Sequence, residues 1–318
     1  MEINYYCSNL TDQIADLFYF SDTPEIASMT VLSLPRIYDI QALLFDEKAA
    51  EAFFIENVFY KTMDCSSCGG SMARRPARSV FECRKCNVSV SIRAGSFFSN
   101  VKVKCCKVLF AGYLWLSRAS VQAIIAQTGM SSKTVCTLLG FFRQLVSDSL
   151  DSEDMKIGGQ DVVVEIDESK FGKRKYQRGH RVEGVWIVGG IERTAEKKVF
   201  LAKVESRDAE TLQSVIARHV LPGSIIYTDL WRGYAGIEAA FGFRHQTVNH
   251  SASFVDPVSG THTNTVEGLW NGIKINLKPR NRVKNGMDEH LFEFIWRKRH
   301  RARLWEAFIE AMREVHYE

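Results

Sequence analysis

Three acids stand where a folded chain could hold them rigidly over a cleft. Asp167 follows the apolar run VVVEI, Asp229 follows SIIYT and precedes a Trp-Arg-Gly-Tyr turn, and Glu267 lies in the segment HTNTVEGLW. Hard carboxylate oxygens are the ligands that Mg²⁺ or Mn²⁺ prefer, and two such ions about 3.5 to 4 Å apart serve in-line displacement at phosphorus. Lys274 falls two helical turns after Glu267 on the same face and supplies a cation near the acids. Glu165 and Glu168 flank Asp167, and strand alternation is expected to point both away from its face.

Cys65, Cys68, Cys83 and Cys86 form a C-x2-C-x14-C-x2-C pattern. Two tight knuckles at this spacing converge four thiolates on one structural Zn²⁺, with no coordination position left open for a substrate. Arranging cysteines in such pairs fits a reducing compartment better than a secreted disulfide framework. The other cysteines, Cys7, Cys105, Cys106 and Cys136, lack the pairing and read as buried or idle thiols.

The elements around these residues follow from periodicity. At 318 residues, with 46% hydrophobic and 25% charged residues, the chain has the composition of an ordinary folded protein and the length of more than one core. No long uncharged apolar stretch suggests a membrane span, and the N-terminus lacks the pattern of a signal peptide. Asp46 to Tyr60 has helical periodicity, and residues 1–60 form a first helical region. Residues 61–100 hold the zinc ribbon, with an alternating strand at Ser89 to Arg93. Lys104 to Leu116, Ser120 to Gln127 and Ser131 to Val146 read as three helices within 101–150, with Ser131 as N-cap of the third. The last two, broken at Thr128 to Met130, give a helix-turn-helix pattern that would set Ser131, Ser132 and Lys133 against DNA.

Residues 151–160 are polar and contain Gly158 and Gly159, marking a linker. Beyond it, 161–318 carries strand-like runs at 161–166, 185–190, 198–204 and 224–227, with helices over 208–220 and 265–277, the pattern of a mixed α/β domain. The net charge of +4 is mild, but basic residues cluster. One loop holds Lys170, Lys173, Arg174, Lys175, Arg178 and Arg181, and a C-terminal helical tail holds Arg297, Lys298 and Arg299. Both clusters are expected to track DNA phosphates.

From Val163 to about Arg280 the sequence resembles the Merlin-type transposases and their bacterial insertion-sequence relatives. VEIDESKFGKRK, the AETL segment, HVLPGSIIYTDLWRGY, VNHS, FVDPVSGTHTNTVEGLW and the later Lys274 occur in that family's order. The resemblance implies an RNase H-like catalytic domain with a DDE triad on Asp167, Asp229 and Glu267, binding two Mg²⁺ or Mn²⁺ ions. Some relatives use asparagine at the third position, and Asn264 stands three residues before Glu267, so either could complete the site; Glu267 is favoured for its charge. His262 and His250 are further polar candidates, and Lys274 matches the family's trailing lysine.

The implied activity is cut-and-paste transposition: binding of terminal inverted repeats, strand cleavage and joining of 3′-hydroxyl ends to target double-stranded DNA, by a homodimer or larger assembly. Such a protein would work in the nucleus of a eukaryote or the cytoplasm of a bacterium. The alternatives are a host-adopted DNA-binding protein that has lost catalysis and a simple nuclease or resolvase that cuts without joining.

Overall fold

The computed structural model describes residues 34–59, 63–75, 78–96, 98–99, 101–172, 184–249 and 261–316. Ser33–Glu318 form one compact unit. In chain order, a 3-10 turn at Ile37–Ile40 leads into α1 (Gln41–Phe45) and α2 (Glu47–Asn57), then a ribbon of β1 (Met72–Arg75), β2 (Val80–Cys83) and β3 (Ser89–Ser91). Three helices follow: α3 (Cys105–Leu116), α4 (Val121–Thr128) and α5 (Ser132–Asp148).

Their ends are fixed by local chemistry. Ser120 and Ser131 cap α4 and α5 by accepting from the amides of Ala123 and Thr134. Gly129 ends α4 at φ +64, a left-handed conformation that a side chain would strain. Val135, Leu138, Leu139, Phe142, Leu145 and Val146 recur every three or four residues along α5 and are all buried. The ribbon strands β1 and β2 are short antiparallel pieces without their own core, and Phe81, Cys65 and Cys83 pack into the same core as the helices.

The second half is built on a five-stranded sheet of order β10-β9-β5-β6-β7. Its strands are β5 (Val163–Phe171), β6 (Val185–Glu192), β7 (Val199–Val204), β9 (Ile225–Asp229) and β10 (Arg244–Val248). A separate two-residue pair joins β4 (Ile157–Gly158) to β8 (Val220–Leu221). β5, β6 and β7 are antiparallel neighbours, whereas β9 runs parallel to β5 and β10 parallel to β9. Helices α6 (Ala209–His219) and α7 (Ile237–Phe241) belong to one side; α8 (Asn264–Asn276) and α9 (Met287–Arg299) cover the other. This mixed sheet with helices on both faces is compatible with an RNase H-like fold.

Strand alternation divides β5 between two cores. Val164 and Ile166 enter the core with Leu212, Ile216 and Tyr234, while Phe171 joins Trp270 and Ile273 on the α8 face. Glu165, Asp167, Ser169 and Phe171 therefore share one face. The expectation that Glu165 points away from Asp167 is corrected, because residues two apart on a strand point the same way.

Glu165 is fully buried and anchors α8. Its Oε2 accepts from the backbone amides of Thr265 and Val266 at 2.8 and 3.0 Å, and its Oε1 accepts from the Thr265 hydroxyl at 2.7 Å. Arg193 Nε donates to the same Oε1 at 2.5 Å, and the Arg193 guanidinium also bonds His262. A carboxylate at the free amides of a helix N-terminus is favoured by both hydrogen bonding and the helix dipole.

α10 (Leu304–Glu314) departs from the expected boundaries. Expected to close the catalytic domain, it instead buries Leu304, Trp305, Phe308, Ala311 and Met312 in the core shared by α3 and α5. Gly112 on α3 makes room for it: a Cβ there would lie 2.6 Å from the Phe308 ring. Glu165→Ala is expected to lower the unfolding free energy by roughly 3 kcal/mol, since it strands Arg193 and the α8 amides; Glu165→Gln, which keeps one acceptor, is expected to lose less than half of that. Urea unfolding without added metal measures both, and an alanine variant within about 1 kcal/mol of wild type would contradict the assignment.

Candidate active site

The register between β5 and β9 pairs Val163 with Ile225 and Glu165 with Tyr227. Carried two residues on, it sets Asp167 level with Asp229 on neighbouring parallel strands, which lie about 4.8 Å apart, so both side chains leave the same face. Asp167 sits within β5 rather than at its end, opposite Gly189 of β6. The absence of a side chain at Gly189 is required: a Cβ would stand 2.7 Å from the Trp270 ring, which crosses that spot to donate its indole N–H to Asp167 Oδ2 at 2.9 Å.

Asp229 Oδ1 accepts from the backbone amide of Trp231 at 2.9 Å, fixing its carboxylate at the β9 turn. Glu168 leaves the opposite face of β5. Its side chain is only 4% exposed; Oε2 accepts from the Tyr234 hydroxyl at 2.8 Å, while buried Oε1 has no hydrogen-bond donor and lies 3.7 Å from Arg207. Arg207 is itself held between two indoles, 4.6 Å from the Trp186 ring and 4.0 Å from that of Trp231.

Burial pushes the Asp167 carboxyl up to about 6; the Trp270 N–H works against this, and the negative charges of Glu168 and Asp229 add to it. Glu168 is also raised, chiefly by burial, with the Tyr234 hydrogen bond opposing and Asp229 reinforcing. Tyr234 is held well above its ordinary value by burial and then by Glu168. Two aspartates leaving one face of the sheet, Asp167 raised by burial and by the charges of its neighbours, form the electrostatic complement of a divalent cation. The residues fit the metal that the sequence implies.

α8 brings up the third candidate. With its first amides tied to Glu165 and Trp270 tied to Asp167, the helix is held at both levels of the strand, and Glu267 lies one turn before Trp270. Glu267 and Asn264 are exposed and lie on the same side of the helix. Among the described residues, Asp167, Asp229 and Glu267 do not bring even one carboxylate oxygen each close enough together to share one ion. The two aspartates are brought together, and Glu267 stands on the facing helix. Lys274 is exposed, its Nζ 5.8 Å from the Phe171 ring.

Residues 156–297 match the family model described as the ISXO2-like transposase domain. A relative from Haemophilus influenzae, described as an uncharacterized transposase-like protein, is 32% identical over 101 residues, covering 31% of this chain and 80% of that protein. This chain belongs to the ISXO2-like transposase family. The matched segment begins just before β4 and ends within α9, so it contains the whole five-stranded sheet and Asp167, Asp229, Asn264, Glu267 and Lys274.

Other expected residues of this ISXO2-like transposase fall differently. His262 does not reach toward the acids; its ring nitrogen is bonded to Arg193 in the Glu165 anchor. Arg297, expected to contact DNA, is buried: it donates to Glu293 and to the carbonyls of Trp115 and Leu116 at the end of α3, and stacks 4.3 Å from the Trp115 ring. Its donors are spent inside the protein, where they cap α3 and tie it to α9. Lys298 is half-buried, and Arg299 pairs with Asp154 at 2.5 Å. Lys170 is half-buried beside Trp186, whereas Lys173, Arg174, Lys175, Arg178, Arg181 and His250 lie outside the described residues.

Among residues not singled out from the sequence, Trp270 and Tyr234 carry the most weight. Trp270 had a readable signal, since it stands three residues after Glu267 on the same expected helix.

The four cysteines of the ribbon converge as expected, with all sulfurs within 4.8 Å of one another; Cys65 lies 3.4 Å from Cys86, and Cys68 lies 3.5 Å from Cys83. A tetrahedral ion with 2.3 Å bonds to sulfur needs separations of roughly 3.8 Å, so the cage fits zinc. Backbone amides of Cys86 and Lys85 point at the Cys83 sulfur and hold its thiol down at about 6.

For the metal-free protein, a raised carboxyl binds protons more tightly folded than unfolded, so stability falls as pH rises from about 4 through 6. Asp167 alone is expected to contribute up to about 3 kcal/mol to that loss. Asp167→Asn removes the charge, so the metal-free variant is expected to match or exceed wild-type stability at pH 7.5 and to show a flatter pH profile by chemical denaturation. A variant clearly less stable at pH 7.5 would contradict the burial of a charged Asp167.

Proposed function

We propose that this transposase works by cut-and-paste, cutting at the ends of its own element and joining the freed ends to new DNA. The observation that carries this reading is the juxtaposition of Asp167 and Asp229 on one sheet face, beneath a helix presenting Glu267, in a donor-poor acidic pocket. When bound, a pair of Mg²⁺ or Mn²⁺ ions would supply charge neutralisation at the phosphate and polarisation of the attacking and leaving oxygens. Asp167 and Asp229 would hold them from the sheet. Glu267 would close the site from α8 with a change of rotamer, and Asn264, on the same helical face, is the alternative at that position.

The remaining residues orient. Trp270 fixes the rotamer of Asp167 by its N–H and shields it from water. Tyr234 holds Glu168 behind the site, and the Trp231 amide fixes Asp229. Lys274, two turns along from Glu267, would meet a phosphate of the DNA end. In cleavage, an oxygen from water bonds to phosphorus as the bond to the 3′ oxygen breaks; in joining, the freed 3′-hydroxyl attacks a phosphodiester of the target, whose own 3′ oxygen leaves with a proton.

DNA would be gripped elsewhere as well. Ser131, Ser132 and Lys133 are exposed at the start of α5, where a helix-turn-helix would present them to the major groove, although the Ser131 hydroxyl is partly committed to its capping bond. Lys170 and the basic residues that follow it in the sequence, with Lys298 and Arg299, would contact phosphates. Two ends must be cut and joined together, so a homodimer or larger assembly is proposed. The four-cysteine cage would hold one structural zinc.

Purified protein incubated with DNA from both flanks of its gene, Mg²⁺ and a target plasmid is expected to yield joined product. Cleavage without joining would favour a nuclease, and binding alone a DNA-binding protein that has lost catalysis. Asp167→Asn is expected to bind the ends within about twofold of wild type and to lose cleavage by a factor on the order of 10³ or more; a variant that cuts normally would remove Asp167 from the site. For the ribbon, metal analysis is expected to find one zinc per chain, and its removal by chelator is expected to lower the melting temperature, because Cys65 and Cys83 belong to the core that includes Phe54, Phe98 and Leu109. Unchanged melting after complete zinc removal would contradict a structural site.

A further inference from the structure

A cavity of about 420 Å³ lies away from the acidic site, between the β6–β7 hairpin, the end of α9 and the segment before β4. Lys156, Lys197, Lys198, Lys298, Arg299 and Arg301 line it, against the acids Glu153, Asp154 and Glu196. Two of those acids are already engaged, Glu153 with Lys156 at 2.6 Å and Asp154 with Arg299 at 2.5 Å. Among the described residues, no ion pair engages Lys197, Lys198, Lys298 or Arg301, which leaves four cations facing one acid.

Cations at the end of α9 are what a helix C-terminus favours, and the helix dipole accounts for Lys298 and Arg299. It does not account for Lys197 and Lys198, which come from a different element and crowd the same space. Burial, then Arg301 and Lys197, lower the affinity of Lys298 for its own proton. Lys197 also occupies the hairpin at φ +50, a backbone conformation that glycine or asparagine adopts at less cost. Exposed Lys197, Lys198 and Arg301 and half-buried Lys298 thus stand close together, with Glu196 the one acid of the lining outside an ion pair, around a space large enough for a phosphate group.

The location separates this cavity from the carboxylates. β6 ends at Glu192, paired with Val164, three residues from the Asp167 level, and β7 is the sheet edge two strands beyond β5. That is roughly 10 Å along the strands and about 10 Å across them. A duplex presenting one phosphodiester to the acids carries charge every ~1.7 Å along its axis and is long enough to reach further along the protein.

We propose that this cavity is an anchoring site for the phosphate backbone of duplex DNA, remote from the phosphodiester being cut. It rests on the reading that the chain handles duplex DNA but does not depend on the chemistry at Asp167 and Asp229. The site retains DNA while the acids act, and it uses Lys197, Lys198 and Arg301 in addition to the two tail residues already considered.

The test is Lys197→Glu with Lys198→Glu in the full-length chain, binding a duplex of unrelated sequence across a series of salt concentrations. Loss of two phosphate contacts is expected to weaken binding at low salt and to reduce the slope of log affinity against log salt by about 2, while cleavage at saturating DNA stays within about twofold. Should the charge reversal disturb folding, as judged by melting, Lys197→Gln with Lys198→Gln is expected to shift the slope in the same direction. An unchanged slope and affinity in a folded variant would overturn the proposal, as would a variant defective only with duplex RNA. Wild-type protein that binds DNA through these lysines but never cuts it would sink the catalytic reading and leave this one standing.

Discussion

The candidate site depends on one buried carboxylate whose oxygens are spent on holding a helix in place. Glu165 ties the first amides of α8 to the middle strand of the sheet, and Arg193 and His262 brace it from the side. That anchor and the Trp270 bond to Asp167 together set how far along β5 the helix sits, and Glu267 lies on α8 one turn before Trp270. A residue two positions from Asp167 thus sets the geometry for a residue one hundred positions away. Burial of the Glu165 charge is tolerable because backbone amides, a hydroxyl and a guanidinium satisfy its oxygens.

The acids beside it are under the opposite condition. Asp167 and Glu168 are buried with few donors; burial raises both, the Glu168 charge adds to the rise at Asp167, and the Asp229 charge adds to it at both. The metal-free fold holds these charges at a cost that a divalent cation would relieve. The glycine at 189 extends the same theme, since the sheet gives up a side chain so that an indole can cross it and touch the carboxylate. Asp167 is held rigidly by its neighbours on the sheet, whereas Glu267 on α8 is exposed.

Much of this was legible in the sequence. The four cysteines, the capping serine at 131, the helices on both sides of it and the strands carrying Asp167 and Asp229 all rest on short-range signals: paired thiols, a hydroxyl before an apolar period, runs of β-branched residues. Two of the misplacements have long-range causes. Arg297 sits in a basic run that looks solvated, yet its donors are used at the end of α3, about 180 positions earlier, which no local pattern reveals. α10 has a strong amphipathic face, but its sequence could not say which core would bury it. Glu165 was misplaced by a parity error that the strand period itself corrects.

The most direct measurement of the central idea is anomalous diffraction from crystals of the protein with DNA from the end of its own element and Mn²⁺. The expected map has a manganese peak bonded to carboxylate oxygens of both Asp167 and Asp229, with Glu267 or Asn264 turned inward from α8. Manganese bound elsewhere on the protein, with both aspartates free of metal in the presence of DNA, would contradict the assignment of this face as the place where the strand is cut.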